Sequence, residues 1–387
     1  MILAITNANI ILEDGIIENG TVLIKNGIIE RIGAKKDVVL PREAQIYDAC
    51  GAYAGPGFVD IHVHGNKNGY LYSESKETAR FFLSHGETTI LAAFYYNLSK
   101  EEFIKYIRLL RSSMRNGDVP NLIGYYMEGP YMNPAYGAAP EKNKWRAEIC
   151  RNDYIDILNE AGEDVKIWVI APERKGIEGF VQDAKRIHPN VKFSVGHSEA
   201  TPEQVFALKQ YGIVGLTHAM NATGRPATLA GTRSCGPDEA CFMDDDMYAE
   251  MICDSLGIHV HADMQRLLLK IKGVDKVVLI SDSTVSDEPT PENLAHVTDL
   301  QFDANGQLYG SKLTLDVALK NIVKHTGVSL IDAFKMAATN PAKEIGVYDS
   351  VGSIAEGKKA NIVILNKELT LQDVIFEGRI VERNIKC

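Results

Sequence analysis

The chain lacks three features that would place it in well-defined classes of protein. Its six cysteines form no C-x-x-C pair, so we interpret them as reduced packing thiols of a cytoplasmic protein. Its 41 lysines and arginines face 51 acidic residues, and the net charge of −10 argues against a nucleic-acid partner held through phosphates. No window approaches the roughly 18 continuous apolar residues of a membrane span.

The amino terminus also lacks the pattern of a secretory signal. The opening M-I-L-A-I-T-N-A-N-I has no basic segment followed by a long apolar stretch, so we expect a cytoplasmic location. The overall composition is ordinary for a globular protein, with 45% apolar and 24% charged residues. With 387 residues, the chain can bury a large core and is too long for one small domain.

Short apolar runs that alternate with amphipathic segments predict an α/β fold. Eight such runs occupy residues 55–340, and the clearest helical periodicity between them is in L-T-L-D-V-A-L-K-N-I-V-K-H. This alternation predicts a parallel (β/α)8 TIM-type barrel. Strand patterns with hairpin signals fill residues 1–54 and return in residues 341–387. We expect these two ends to form one small β-sandwich domain.

The segment P-G-F-V-D-I-H-V-H-G, at residues 56–65, is the most informative stretch of the chain. In a strand, Asp60, His62 and His64 share one face. Two imidazoles placed in this way can hold one divalent ion from the same side. Taken alone, the motif is better explained by a solvated strand end or a pair of hydrogen-bonded histidines, since short motifs match by chance.

Four further apolar runs end in a side chain that suits a metal or a proton transfer: Glu128, His197, His218 and Asp282. Each has a plain structural explanation by itself. Glu128 could cap a turn, Asp282 could be an N-cap, and the two histidines could be satisfied in a core. Because the strand ends of a (β/α)8 barrel converge on one mouth, the whole set is better explained by a single site.

These residues predict a hydrolytic metal centre. Its ligands would be four histidines and one glutamate, namely His62, His64, Glu128, His197 and His218. Such a set holds one or two divalent ions, with zinc as the first choice and iron, manganese or cobalt as alternatives. A bound metal lowers the pKa of water toward about 7, giving a hydroxide that can attack an amide. Asp282 is a carboxylate outside this ligand set, and it can take a proton from the water and deliver it to the leaving amine.

With these residues, the chain resembles the amidohydrolase superfamily, and within it the N-acetylglucosamine-6-phosphate deacetylases. The likeness covers nearly the whole length. Besides the segment at residues 56–65, its markers are M-E-G-P-Y-M-N-P, G-H-S-E-A-T, T-H-A-M-N-A and S-D-S-T. The resemblance implies a metal-dependent hydrolase that removes the acetyl group from an N-acetylated amino-sugar phosphate, with N-acetylglucosamine 6-phosphate as the first choice. It also implies a homodimer.

The resemblance further implies a role for each site residue. Glu128, His197 and His218 match the principal metal ligands, His62 and His64 match the ligands of a second metal, and Asp282 matches the catalytic acid/base. Substrate contacts would come from the backbone of Asn221 and Ala222, and from the side chains of Arg225 and His259.

Three departures from the family pattern concern the substrate. Ala139 stands where the family has a histidine that polarises the substrate carbonyl, and the segment from Asp254 to His259 is altered. The segment that bears the family's phosphate-binding arginine is shortened here, and Arg225 in T-G-R-P is the match, with Arg233 as an alternative. Two other functions therefore stay open: hydrolysis of another N-acyl or cyclic amide, and a catalytically silent metal-binding relative. Asp282 argues against the silent relative, because a structural metal site needs no free carboxylate.

Overall fold

The computed structural model describes residues 1–137, 140–225, 232, 234–285, 291–302 and 308–383. Eight parallel strands form a barrel, in which each strand pairs with the next one along the chain. We number them barrel strands 1 to 8: Phe58–Val63, Glu87–Tyr95, Leu122–Glu128, Val165–Ile170, Lys192–Val195, Ile213–Leu216, Tyr248–Ile252 and Val277–Ile280. Their side chains are almost all buried, as expected for strands that are covered on both faces.

One helix follows each barrel strand and covers the outside of the barrel. These helices are Ser75–Ser84, Lys100–Arg115, Arg151–Ala161, Ile177–Ile187, Pro202–Lys209, Pro237–Met243, Ala262–Lys272 and Leu315–Thr326. Local sequence sets several of their starts. Ser99 and Glu102 form a reciprocal capping box. Thr201 and Gln204 form a second one, in the helix that begins at Pro202. The regular alternation confirms the predicted (β/α)8 barrel.

The ring closes just beyond the last barrel strand. The backbone N–H of Asp282 donates to the carbonyl of His62 at 3.0 Å, and the carbonyl of Ser283 accepts from His64 and Gly65 at 2.9 Å each. These hydrogen bonds join barrel strand 8 to barrel strand 1. Two residues that sequence analysis assigned to one site are therefore adjacent in the closed ring.

Both ends of the chain build one mixed eight-stranded sheet beside the barrel. It contains Ile2–Ile11, Ile16–Lys25, Ile28–Ala34, Gln45–Asp48, Tyr53–Pro56, Ile362–Leu365, Leu371–Phe376 and Arg379–Ile380. The strand Tyr53–Pro56 pairs with Ile362–Leu365, so the amino- and carboxyl-terminal parts meet inside the sheet. This confirms the small β domain shared by the two ends, while the division of the chain at residues 54/55 and 340/341 stays a prediction.

A short helical segment connects the barrel to the small sheet. It runs through Leu330–Phe334, the π-helical turn Lys335–Thr339 and Asn340–Glu344. The Phe334 ring stacks on Phe58 with ring centroids 5.9 Å apart, and any side chain at Gly55 would collide with that ring. Two hairpins complete the described strands, pairing Gly65–Asn66 with Gly69–Tyr70 and Leu300–Phe302 with Leu308–Ser311. Within the described ranges, no helix is both long and apolar enough to cross a bilayer.

Candidate active site

The barrel mouth brings together the three residues that were predicted as principal metal ligands. Glu128 ends barrel strand 3, while His197 and His218 follow barrel strands 5 and 6 by two residues. Glu128 Oε1 lies 2.7 Å from His197 Nε2 and 3.0 Å from His218 Nε2. The two Nε2 atoms are also 3.0 Å apart. All three side chains are buried, so they form a compact group of potential ligand atoms.

A second group lies against the other oxygen of the same glutamate. His64 Nε2 is 3.0 Å from Glu128 Oε2 and 3.3 Å from Asp282 Oδ1. His62 Nε2 is 3.6 Å from that glutamate oxygen and 3.5 Å from Asp282 Oδ1. The carboxylate of Glu128 therefore lies between the two groups, one oxygen toward each.

The backbone at this rim is strained where the side chains turn inward. His197, His218 and Asp282 have φ angles of 47°, 30° and 46°, in the left-handed region that non-glycine residues rarely adopt. Such conformations persist where surrounding structure imposes them and cluster at functional sites. Here each one lies two residues beyond a barrel strand and directs a side chain into the mouth.

The hydrogen bonds of two histidines indicate which of their ring nitrogens is left to bind a metal. His218 Nδ1 is 3.2 Å from the Asn221 carbonyl, which can only accept, so this nitrogen carries the proton. His62 Nδ1 is 3.2 Å from a carboxylate oxygen of Glu250 and donates in the same way. In the neutral form of each ring, which is the form that binds a metal, Nε2 then presents a lone pair on the side of the Glu128 carboxylate.

Acceptors that face acceptors in a buried site need a cation between them. His62 Nε2 and Glu128 Oε2 are buried without a hydrogen-bond partner. Two ligands bound at ~2.1 Å to one tetrahedral ion lie roughly 3.4 Å apart, close to the separations within these groups. Nitrogen and carboxylate ligands of this kind suit zinc and other first-row divalent metals. The residues present therefore fit a divalent metal centre.

Electrostatics favour ionised carboxylates at this centre. Burial raises the pKa of Glu128, but without a metal the charge of protonated His62 and His197 and the hydrogen bonds from His197 and His218 outweigh burial, and they hold that pKa well below its usual range. Burial also raises the pKa of Asp282, while His62 and His64 bring it below the ordinary value. Asp282 is thus a carboxylate at neutral pH, and its side chain is 23% exposed where it meets the cavity.

A cavity of about 280 Å³ opens above the two groups. Its lining includes three residues for which substrate contact stays a prediction, Asn221, Ala222 and His259, together with Tyr70, Tyr95, Asn97, Lys142, Thr284 and Leu308. His259 is oriented by Asp254, whose Oδ2 lies 3.1 Å from His259 Nδ1 and also accepts from the His259 backbone N–H. The altered segment from Asp254 to His259 therefore still presents its histidine to the cavity.

Arg225 occupies a different place from the other predicted residues. Its guanidinium donates from Nε and Nη2 to Glu239 Oε1, at 3.1 and 2.7 Å. It lines a separate groove with Met264 and Leu267. Its role in binding a phosphate stays a prediction. Arg233 and Ala139 lie outside the described residues.

Two residues that contact or line the site were not among the sequence predictions. Glu250 interrupts the apolar run Ala249–Glu250–Met251–Ile252 of barrel strand 7, and a charged residue inside a buried strand was the available signal. Lys142 ends the short 3₁₀ turn Pro140–Lys142. Nothing in its local sequence pattern distinguishes it from an ordinary surface lysine.

The fold and the site together define a metal-dependent hydrolase of the (β/α)8 class. The profile of the amidohydrolase family matches residues 53–381, and the chain therefore belongs to that family, which is metal-dependent.

Within this family, the chain is similar over nearly its whole length to deacetylases of amino-sugar phosphates. The chain is 27% identical over 385 residues to the N-acetylgalactosamine-6-phosphate deacetylase of Escherichia coli O157:H7, covering 95% of this chain and 96% of that protein. It is 28% identical over 401 residues to the N-acetylglucosamine-6-phosphate deacetylase of Lysinibacillus sphaericus, covering 98% and 97%. The solved N-acetylglucosamine-6-phosphate deacetylase of Thermotoga maritima is 28% identical with a TM-score of 0.80, covering 98% of this chain and 100% of that one.

Proposed function

We propose that this chain is a metal-dependent deacetylase of N-acetylated amino-sugar phosphates, with N-acetylglucosamine 6-phosphate as the first substrate to test. The observation that carries the proposal is the Glu128 carboxylate, which has one oxygen against His197 and His218 and the other against His64. Asp282 stands beside this arrangement and faces the cavity. The relatives named above support the substrate class.

The metal would be held by His62, His64, Glu128, His197 and His218, as one or two ions with zinc as the first choice. When bound, a divalent ion supplies Lewis-acid activation of the attacking water and of the amide carbonyl.

The chain's own carboxylate performs the proton transfer. Asp282 Oδ1 accepts a proton as the water oxygen bonds to the acetyl carbon, and it then donates that proton to the sugar nitrogen. The carbon–nitrogen bond breaks, leaving acetic acid and the free amine, which become acetate and the ammonium form when the second water proton passes between them. His259 lines the same cavity, where its ring can hold a sugar hydroxyl in place.

An assay with purified, zinc-loaded protein tests this function. The substrates are N-acetylglucosamine 6-phosphate, N-acetylgalactosamine 6-phosphate, their unphosphorylated forms and a set of cyclic amides. We expect acetate release from the phosphorylated sugars. Hydrolysis of cyclic amides alone would favour the alternative amidohydrolase function, and no turnover by the metal-loaded protein would favour a silent relative.

We assign recognition of the phosphate to Lys142. Of the described residues that line the cavity, it is the one lysine or arginine. A hydrogen bond to a charged group contributes about 1.5–3 kcal/mol, so Lys142→Met should raise KM for the phosphorylated substrate roughly 10- to 100-fold. Steady-state kinetics on each sugar with and without its phosphate will measure this effect.

Arg225→Met tests the competing prediction from the sequence, in which Arg225 binds the phosphate. Because Arg225 is paired with Glu239 in a separate groove, we expect its removal to change KM little. A large rise in KM for Arg225→Met, with none for Lys142→Met, would show that Arg225 and not Lys142 contacts the phosphate.

The proposal includes a homodimer and a cytoplasmic location. An apolar face supports the dimer, since Leu256, Ile258, Met264, Leu267 and Ile271 are each at least 40% exposed. Sedimentation velocity on the purified protein tests the dimer, and a monomer at micromolar concentration would exclude it.

A further inference from the structure

Glu250 is a fully buried carboxylate that contacts residues of both ligand groups without being a candidate ligand itself. It lies in the middle of barrel strand 7, with no exposed surface. Its Oε2 is 3.2 Å from His62 Nδ1 and 3.2 Å from the backbone nitrogen of His218. Its Oε1 accepts from the Tyr126 hydroxyl at 2.7 Å. These three contacts satisfy both oxygens of the buried carboxylate.

The contact with His62 determines which ring nitrogen is available. A carboxylate only accepts, so His62 Nδ1 carries a proton, and in the neutral ring that binds a metal this leaves the lone pair on Nε2. In the opposite tautomer, the lone pair of His62 Nδ1 would face the Glu250 carboxylate, so that two acceptors would lie against each other. The ring is also held from its face, since Tyr126 stacks on it with centroids 4.2 Å apart. Glu250 and Tyr126 therefore fix both the tautomer and the orientation of this imidazole.

A hydrogen-bonded chain supports Glu250 from behind. The Tyr126 hydroxyl is 2.8 Å from Thr217 Oγ1, and Thr217 Oγ1 is 2.8 Å from Ser194 Oγ. Tyr126 lies in barrel strand 3 and Ser194 in barrel strand 5, and Thr217 is the residue after barrel strand 6. The carboxylate is thus anchored on one side to the barrel interior and directed on the other toward His62.

We propose that Glu250 is a positioning residue that holds His62 in the Nδ1–H form and thereby sets the affinity for the ion beside His62, His64 and Asp282. The inference deepens the proposed function and rests on its metal site. Carboxylates that receive the second N–H of a metal-binding histidine increase its basicity and fix its orientation. Loss of such a partner typically lowers metal affinity about 10- to 100-fold.

Zinc titration of the metal-free protein tests this proposal without any enzymatic assay. Glu250→Ala should weaken zinc binding about 10- to 100-fold. Glu250→Gln should lose several-fold, because its amide oxygen can still accept from Nδ1–H through a weaker, uncharged hydrogen bond. Tyr126→Phe is the comparison variant, since it removes one of the three hydrogen bonds to the carboxylate but keeps Glu250 beside His62 and keeps the ring that stacks on His62. Its zinc affinity should fall less than that of Glu250→Ala.

A double-mutant cycle separates positioning from general damage to the fold. In a His62→Ala background, Glu250→Ala should have little further effect on zinc, because the ring on which it acts is gone. An additive loss would overturn the proposal, as would unchanged zinc affinity in Glu250→Ala. If Glu250→Ala fails to fold, Glu250→Gln decides, and zinc affinity equal to that of the unmodified protein overturns the proposal. Failure of the unmodified protein to bind zinc would instead contradict the proposed function.

Discussion

Asp282→Asn is expected to lower turnover by about 10²- to 10⁴-fold, the usual contribution of a positioned acid/base. The side chain is ionised at neutral pH because His62 and His64 hold its pKa below the ordinary value despite burial. Asparagine keeps the shape and an oxygen near His64 Nε2, which is 3.3 Å from Asp282 Oδ1, but it cannot accept a proton. Zinc content and KM should therefore change far less than kcat.

The alternative explanation, that Asp282 only caps a turn, disagrees with the hydrogen bonds. The Thr284 N–H donates to the Ser311 carbonyl at 3.0 Å rather than to Asp282. Asp316→Asn provides the matched control, since this aspartate also lies beside a histidine, His85 at 3.3 Å, but does not line the cavity. Near-normal turnover in Asp282→Asn with confirmed zinc content would contradict the proposed proton transfer.

Glu128→Gln is expected to lose more metal than substitution of any single histidine. Its two oxygens contact both ligand groups, with His197 Nε2 at 2.7 Å from one and His64 Nε2 at 3.0 Å from the other. A neutral amide removes the negative charge and places an N–H₂ group against one of these lone pairs. We expect zinc affinity to fall by more than the roughly 10- to 100-fold that is typical when a residue that only hydrogen-bonds to a metal ligand is lost.

Metal analysis after dialysis will measure this loss for Glu128→Gln and for alanine variants of His62, His64, His197 and His218. Glu173→Gln is the control, because Glu173 binds Ser198 and Asn133 near the same rim without facing the histidine lone pairs. Undiminished zinc in Glu128→Gln would show that the glutamate is not a shared ligand.

The local pattern of the chain was sufficient to predict the barrel and most of its rim. A strand, a helix and the next parallel strand form a unit whose handedness and strand order follow from short connections, so eight such units in sequence leave few other arrangements. The carboxyl ends of those strands must then meet. For this reason Glu128, His197, His218 and Asp282 could be placed with His62 and His64 before any distance was known.

Only the tertiary structure determined which side chains support or share that rim. His62 and Glu250 are 188 residues apart, and they meet because both point into the closed barrel. No periodicity of the chain encodes this contact. Side-chain direction at the mouth depends equally on long-range packing: Lys142 reaches the cavity from a short turn, while Arg225 pairs with Glu239 in another groove. Sequence thus determined the strand ends, and barrel closure decided which side chains act together there.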